Sequence, residues 1–362
     1  MLSDLDYMER ALQLAERGRG RTAPNPMVGA VVVLPDGTVA GQGFHERAGG
    51  PHAEVVALDE AGEQARGAVL YCTLEPCCHH GRTGPCVERI VAAGIGRVVT
   101  ASEDPNPLVA GGGIAYLRRH GVRVEVGTGR DQALRLNRPF FAYVRDHRPF
   151  VIMKAAVSLD GCIAARPGVR TPLTSLEARR HAHQVRAEVD AIAVGAGTVL
   201  VDDPWLTARE VWRARPLMRV VFDRRLRVPP TARLFSTVDQ GPIVVVTTPA
   251  AAASRPDRVR ALEAAGARLE PIEDGEVGSA LARLARLEVT SVLLEGGARL
   301  HRAAWQAGLV DAVHLYIAPV ILGTEGVPWL DARIFSASAL TDRRIRAFGP
   351  DILVEGYVHR TH

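Results

Sequence analysis

Lysine is almost missing from this chain. Of its 44 basic residues only Lys154 is lysine, and the other 43 are arginine. Arginine evidently serves wherever a simple positive charge is enough. The one retained lysine therefore suggests a place where a compact ammonium fits and a planar guanidinium does not. Long apolar runs are missing too: the longest, such as VGAVVVL at 28–34, fall far short of the ~20 residues that cross a bilayer. Residues 1–20 contain no uncharged apolar stretch, which argues against a secretory leader. Cysteine is scarce and unevenly spread, with five in 362 residues and three of those within eleven. An odd, clustered set is not a disulfide framework and fits cytoplasmic metal or thiol chemistry. Dense basic runs are also absent. Residues 1–146 hold 16 arginines against 17 acids, net −1, and the remainder holds 28 basic residues against 23 acids, net +5. That is a scattered basic surface rather than a polynucleotide groove.

What is present describes a globular protein long enough for two domains, 47% hydrophobic with 35 glycines and 23 prolines. Leu5, Met8, Leu12 and Ala15 share a helical face over 5–16. VGAVVVL reads as a buried strand turned by Asp36-Gly37. Helical spacing returns at 52–65 and 85–93, with strands at 68–73 and 97–101, a helix at 111–120 and a strand at 122–126. A charged break, RDHRP at 145–149, separates residues 1–146 from 147–362. Beyond it the alternation restarts, with strands at 150–157, 189–195, 218–223, 243–248, 291–295 and 312–318. Helices fall at 174–187, 252–265, 277–287 and 298–307. Thr174 and Glu177 read as a capping box. Two α/β layered domains follow from this alternation.

The densest chemistry is PCCHHGRTGPC at 76–86, preceded by PHAEVVAL at 51–58. His-x-Glu opening a helix, then Pro-Cys and a later cysteine, is the zinc-deaminase pattern. A catalytic zinc takes three protein ligands and keeps one position open, and one histidine with two thiolates supplies them. His52, Cys77 and Cys86 are the expected ligands. Glu54, two residues from His52, can reach the attacking water without occupying the metal and is the expected general acid–base. The interval between Cys77 and Cys86 is six residues longer than the usual Cys-x-x-Cys. Cys77–Cys78 is the alternative pair, but adjacent side chains diverge, which leaves Cys78 a bystander. A closed site with His79 or His80 as fourth ligand is the structural alternative, and it would leave Glu54 without a task. Cys72, inside an apolar strand, reads as core. In the second half, Gly195-Ala196-Gly197 lacks the third glycine of a dinucleotide fingerprint. Glu295-Gly296-Gly297, between a strand and a helix, could admit a phosphate to backbone N–H groups or could simply be a tight turn.

PNPMVGAVVV (24–33), GQGFH (41–45), PHAEVVAL, TLEPCCHHGRTGPC (73–86) and DPNPLVAGGG (104–113) resemble the deaminase half of bifunctional riboflavin biosynthesis proteins. KAAVSLDG (154–161), GAGTVLVDDPWLTAR (195–209), EGGARLH (295–301) and LVDAVHLYIAPVILG (309–323) resemble their reductase half. The resemblance spans nearly the whole chain. It implies a cytidine-deaminase-like α/β/α domain followed by a dihydrofolate-reductase-like domain. It further implies zinc-dependent deamination of 2,5-diamino-6-ribosylamino-4(3H)-pyrimidinone 5′-phosphate, then NADPH reduction of the ribosyl group to ribityl. By matching position, Asn25 and His45 hold the pyrimidine and ribose, and Arg82 holds the phosphate. Ala156, Thr198, Asp202 and the segment Gly297, Ala298, Arg299, Leu300, His301, Arg302, Ala303 touch NADPH. Arg186, Leu206, Arg209 and Glu295 touch substrate, and Lys154, which opens KAAVSLDG, is expected to hold the ribose or phosphate. The chain departs from the family at 168–175. Arg170 takes the place of a substrate-binding serine and Pro172 that of a tryptophan, so an aromatic wall against the cofactor is expected to be missing or to come from Trp205.

The competing reading is a nucleic-acid deaminase, of the kind acting on tRNA, with an appended binding domain. It shares the zinc chemistry, but the N-terminal half is not basic. The expected partner is a small pyrimidine nucleotide, without nucleic acid or membrane. A homo-oligomeric state is compatible with the sequence.

Overall fold

Two units divide the chain, Met1–His147 and Arg148–His362. The computed structural model describes residues 2–79, 84–330 and 339–358, and architectural statements below refer to those residues.

The first unit runs α1 (Asp4–Glu16), β1 (Gly29–Val33), β2 (Val39–Phe44), α2 (Ala53–Ala61), β3 (Val69–Cys72), α3 (Cys86–Ala92), β4 (Arg97–Thr100), α4 (Gly112–Arg119), β5 (Arg123–Val126), α5 (Arg130–Leu136) and α6 (Arg138–Asp146). Its sheet has the order β2-β1-β3-β4-β5. β1 is antiparallel to both neighbours, and β3, β4 and β5 are parallel. Alternate residues of a strand face opposite sides, and here each side has its own core. Ala30, Val32, Leu70, Cys72 and Val98 pack with Ala57 and Leu58 of α2, Ile90 of α3 and Leu117 of α4. Val31, Val33, Tyr71 and Val99 pack with Met8 and Ala11 of α1 and Ala133 of α5. Covering both faces explains why VGAVVVL is apolar throughout rather than alternating. Cys72 lies in this core.

The second unit runs β6 (Phe150–Ser158), β7 (Cys162–Ala164), α7 (Leu176–Glu188), β8 (Ala191–Gly195), α8 (Ala196–Asp202), β9 (Met218–Phe222), β10 (Ile243–Thr247), α9 (Pro249–Ser254), α10 (Pro256–Ala264), β11 (Ala267–Pro271), α11 (Val277–Ala285), β12 (Ser291–Leu294), α12 (Ala298–Gln306), β13 (Ala312–Ala318), β14 (Val327–Pro328), β15 (Leu340–Phe348) and β16 (Asp351–Val358). The large sheet has the order β11-β10-β9-β8-β12-β6-β13-β16-β15. It is parallel from β11 to β13 and antiparallel at β16 and β15. The same division by alternation holds. Ala191, Ala193, Val220, Val244, Val292 and Leu294 face α11 and α12, while Ile192, Val194, Val221, Val245 and Leu293 face the side of α7 and α10.

Two local readings are corrected. The cap of α7 is Ser175, whose hydroxyl accepts the Ala178 N–H at 3.2 Å. The helix starts one residue later than a Thr174–Glu177 box would place it, and Glu177 falls in its first turn. The single helix expected over 252–265 is two, α9 and α10, broken at Arg255. Pro256 disfavours helical backbone in the residue before it.

Candidate functional sites

Two helix starts and one loop converge in the first unit. His52 is the N-cap of α2, in extended backbone, and Cys86 is the first residue of α3, after Pro85. Cys77 lies in the loop that follows β3. The Nδ1 of His52 stands 3.2 Å from Cys86 Sγ and 3.4 Å from Cys77 Sγ. The Cys86 N–H donates to Cys77 Sγ at 3.3 Å. The ligand atoms of these three residues all lie within 4.8 Å of one another. Zn–S bonds of about 2.3 Å and Zn–N bonds of about 2.0 Å separate tetrahedral ligand atoms by about 3.5 Å, so the triad has the dimensions zinc requires. The Cys86 thiol donates to Cys77 and lowers its pKa, aided by His52, while the same bond raises Cys86 itself. That direction favours the thiolate form that a metal ligand needs.

Cys78 faces elsewhere. Its Sγ points at the Leu108 and Val109 carbonyls, 3.8 and 4.0 Å away. It packs so closely on Gly112 that a Cβ there would lie 2.9 Å from the sulfur. His79 is not part of the metal-type group among the described residues, and His80 and Arg82 lie outside the described residues.

Glu54 sits in the first turn of α2, only 3% exposed. Burial pushes its carboxyl up to about 6, against the opposing pull of His52. A carboxyl in that range can both take and give a proton near neutrality. His45 is buried beside it, its ring edge-on to His52 with centroids 5.3 Å apart. Its Nδ1 lies 2.9 Å from the Pro51 carbonyl, which can only accept. Nδ1 therefore carries the proton, and Nε2 accepts from the Asn25 amide at 3.0 Å. Asn25, His45 and His52 form one connected wall, and the Glu54 carboxyl lies close enough to feel the His52 charge.

Sequence reasoning missed Glu75, which also belongs to this region. Its buried carboxylate accepts the N–H groups of Asp104 (3.2 Å), Gly111 (2.9 Å) and Ile114 (3.1 Å). It thereby fastens the DPNPLVAGGG turn against the cysteine loop. A glutamate in the middle of TLEPCC was the available signal.

In the second unit a cavity of about 1380 Å³ opens at the C-terminal ends of β6, β12, β8, β9 and β10, where ligands bind in parallel sheets. It brings together Lys154, Ala156, Arg170, Arg186, Thr198, Asp202, Leu206, Arg209, Glu295, Gly297, Ala298, Arg299, Leu300, His301 and Ala303. Arg302 is not among the lining residues. The centre is an ion pair: Arg186 Nε and Nη2 each donate to Glu295 at 2.7 Å, and Nη1 donates to the Thr207 carbonyl at 2.9 Å. Burial alone would raise Glu295, but the Arg186 and Lys154 charges outweigh it and hold the carboxyl at about 2. Burial lowers the Lys154 ammonium, opposed by Glu295, and Nζ lies 5.4 Å from the Tyr316 ring centroid.

The Glu295-Gly296-Gly297 turn is braced from within. Trp329 Nε1 donates to His301 Nδ1 at 2.8 Å, so His301 Nε2 carries the proton it gives to the Leu294 carbonyl at 2.9 Å. Both ring nitrogens of His301 are therefore spent inside the protein. Gly197 lines the cavity and a Cβ there would meet nothing within 4 Å, so its missing side chain leaves room for a ligand against the backbone. Leu206, fully buried, holds a left-handed φ of 57°, a strain of about 1 kcal/mol or more that such sites often carry. The Asp202 carboxyl is raised by burial, with Arg170 opposing. Trp205 does line the cavity, but Arg233 and Arg209 lie over its ring at 3.8 and 5.2 Å from the centroid.

Residues 149–354 match the model of the RibD C-terminal domain. Residues 1–102 match that of the cytidine and deoxycytidylate deaminase zinc-binding region. The chain is 40% identical to the riboflavin biosynthesis protein RibD of Aquifex aeolicus over 97% of both chains. The chain belongs to the RibD family of riboflavin biosynthesis proteins. The RibD of Escherichia coli is likewise 40% identical, over 97% of this chain and 98% of its own. Acinetobacter baumannii RibD superposes with a TM-score of 0.86 at 35% identity over 99% of both chains. A deaminase/reductase of Thermotoga maritima superposes with a TM-score of 0.84 at 34% identity, over 98% of this chain and 99% of that one. The chain is accordingly bifunctional, a zinc deaminase unit joined to an NADPH-dependent reductase unit. Relatives of matching length do not favour the tRNA-type deaminase reading. Among the described residues no helix is long and apolar enough to cross a membrane.

Proposed function

We propose that residues 1–146 deaminate 2,5-diamino-6-ribosylamino-4(3H)-pyrimidinone 5′-phosphate and that residues 147–362 reduce the ribosyl group of the product to ribityl with NADPH. The Thermotoga maritima relative carries the corresponding two names, a diaminohydroxyphosphoribosylaminopyrimidine deaminase and a 5-amino-6-(5-phosphoribosylamino)uracil reductase. The observation that carries the reading is the pairing in one chain of a His52–Cys77–Cys86 triad beside buried Glu54 with a long, cation-lined cavity built on Glu295 and Lys154.

In the deaminase unit His52, Cys77 and Cys86 would hold zinc, which would lower the pKa of the attacking water toward neutrality. Glu54 takes one proton from the attacking water and gives it to the ring nitrogen, then takes the remaining hydroxyl proton and gives it to the amine as the C–N bond breaks, so that ammonia leaves and the ring keeps the oxygen as a carbonyl. Asn25 and His45 orient the pyrimidine and ribose, and Arg82 binds the phosphate as a bidentate donor. In the reductase unit Glu295 and Lys154 orient the ribosyl hydroxyls, while Arg186 keeps Glu295 ionised. Arg209 and Arg170 supply positive charge for the sugar phosphate, and Leu206 shapes the wall. Ala156, Thr198, Asp202 and residues 297–303 receive NADPH, with His301 acting as a brace beneath the turn rather than as a direct contact. Arg302, away from the cavity lining, is left without such a role.

The thiol-rich site suits a reducing, cytoplasmic setting. The substrate is a small nucleotide, so neither nucleic acid nor membrane is required, and a homo-oligomer is compatible with the fold. The test is incubation of the full chain with the diamino-pyrimidinone phosphate. Ammonia should appear without NADPH, and NADPH absorbance should fall only after deamination. Ammonia release with no NADPH consumption at any cofactor concentration would overturn the second half.

A further inference from the structure

The loop between α8 and β9 carries strained backbone. Asp203, Leu206 and Glu210 hold left-handed φ angles of 41°, 57° and 60°. None is glycine, and side chains crowd the backbone in that region. Such residues persist only where surrounding contacts over-determine them.

Helix α7 supplies those contacts. Arg186 Nη1 donates to the Thr207 carbonyl at 2.9 Å, and three residues earlier His183 Nδ1 accepts the Arg209 N–H at 3.1 Å. Residues three apart on a helix share a face, so one face of α7 grips the loop twice. Farther on, Arg213 Nη1 and Nη2 donate to the Arg186 and Val189 carbonyls at the end of α7, each at 2.6 Å. Arg180 and Glu210 stand 3.8 Å apart with both side chains exposed, a pair of little weight. Arg186 divides its donors between this loop and Glu295.

His183 also lines a recess of about 240 Å³ together with Lys154, Arg186 and Arg209, which line the main cavity as well. A backbone N–H can only donate, so the His183 Nδ1 that meets it carries no proton. The surroundings keep it bare. Burial lowers the ring to about 4, helped by the Arg186 and Arg209 charges and opposed by Glu295 and Glu210. Among these cations a neutral imidazole can accept a hydrogen bond, which arginine cannot. The Arg209 guanidinium lies over the Trp205 ring, 5.2 Å from its centroid. Arg209 is thus fixed at two points, its backbone by His183 and its charged end by Trp205.

We propose that His183 is a positioning residue of the reductase: by accepting the Arg209 N–H it holds the strained loop with the Arg209 guanidinium set for the substrate phosphate. This rests on the reductase reading above. A guanidinium meets phosphate oxygens through a planar fork of donors, so its placement governs the bond. With the loop held in advance, little remains to be ordered when the phosphate arrives. The effect of His183 therefore falls on binding of the phosphorylated substrate and not on the hydride step.

The test follows NADPH oxidation by the full chain with the deaminated ribosyl phosphate and with its phosphate-free nucleoside. His183→Ala should raise the KM for the phosphate compound about fivefold, the scale of one neutral hydrogen bond. The kcat and the KM for NADPH should stay within about twofold. The nucleoside should be reduced with the same kcat/KM by both proteins. His183→Asn, whose Oδ1 stands in the place of Nδ1, should recover most of the loss. His183→Gln, whose amide reaches the place of Nε2, should not. An equal loss with both compounds, or a loss with neither, would overturn the proposal. Recovery by Gln and not by Asn would overturn it as well, since the duty would then belong to Nε2. If His183→Ala fails to fold, the Asn and Gln variants decide the same question. An unmutated chain that oxidises no NADPH with the phosphate compound would overturn the reductase reading and this proposal with it.

Discussion

The two sites of this chain are built in opposite ways. The deaminase site is compact in sequence. His52, Glu54, Cys77 and Cys86 fall within 35 residues, and two of them open helices where backbone and dipole favour a ligand or thiolate. The reductase site gathers Lys154, Arg186, Thr198, Arg209 and Glu295 from separate strands, helices and loops across some 140 residues of chain. The first depends on a metal-sized triad and the second on a balance of buried charges. The difference predicts that each site fails through its own kind of substitution.

The largest effects belong to the triad. Cys77→Ser or Cys86→Ser should abolish zinc binding and ammonia release together, and Cys78→Ser should retain about one zinc per chain by metal analysis. Loss of metal from the Cys78 variant would mean that the loop rearranges to use it. Glu54→Gln comes next. It keeps the shape but cannot move a proton, so zinc should stay while deamination falls by at least ~100-fold. Near-normal ammonia release would assign the proton to another group.

The charge-balanced site should respond in stability as well as in rate. Glu295→Gln leaves Arg186 buried without its partner and should destabilise the reductase unit by about 3–5 kcal/mol in denaturant unfolding. The pH dependence follows the same pair. The Glu295 carboxyl stands at about 2 against an ordinary 4.5, so it binds a proton less readily folded than unfolded. Its contribution is whole above pH ~4.5 and is lost as pH falls toward 2. Acid unfolding of the Glu295→Gln variant should lack that component; an unchanged profile would show that the pair does not govern it.

A smaller effect is expected for Lys154→Arg. A wider, planar cation in a half-buried place beside Tyr316 should slow NADPH oxidation about tenfold although the charge is kept. Full activity would mean that the lone lysine has no special duty. The smallest effect is the sharpest test of the comparison. Cys86→Ala should leave NADPH oxidation of the already deaminated compound within about twofold, since hydride transfer uses none of the triad. If oxidation stops, the two sites are interdependent.

The strands apolar on both faces were legible, because burial on two sides removes the need for alternation. The zinc triad was legible for a different reason: its residue types are rare and closely spaced. β15 was not. Its sequence LTDRRIRAF is mostly charged and exposed because it is an edge strand with one partner, and edges resist further pairing by carrying charge. The short α5 and α6 and the glycine-containing β2 were missed because few residues in each face a core.

The sequence by itself determined which chemistry the first unit can perform, since one histidine, two thiols and one carboxylate at those spacings admit few uses. Only the tertiary structure decided that Cys78 turns to the Leu108–Val109 carbonyls, that His301 spends both nitrogens beneath its turn, and that His183 accepts the Arg209 N–H. These outcomes depend on contacts between segments far apart in the chain. Spacing can state what a residue is able to bind, but packing assigns its partner.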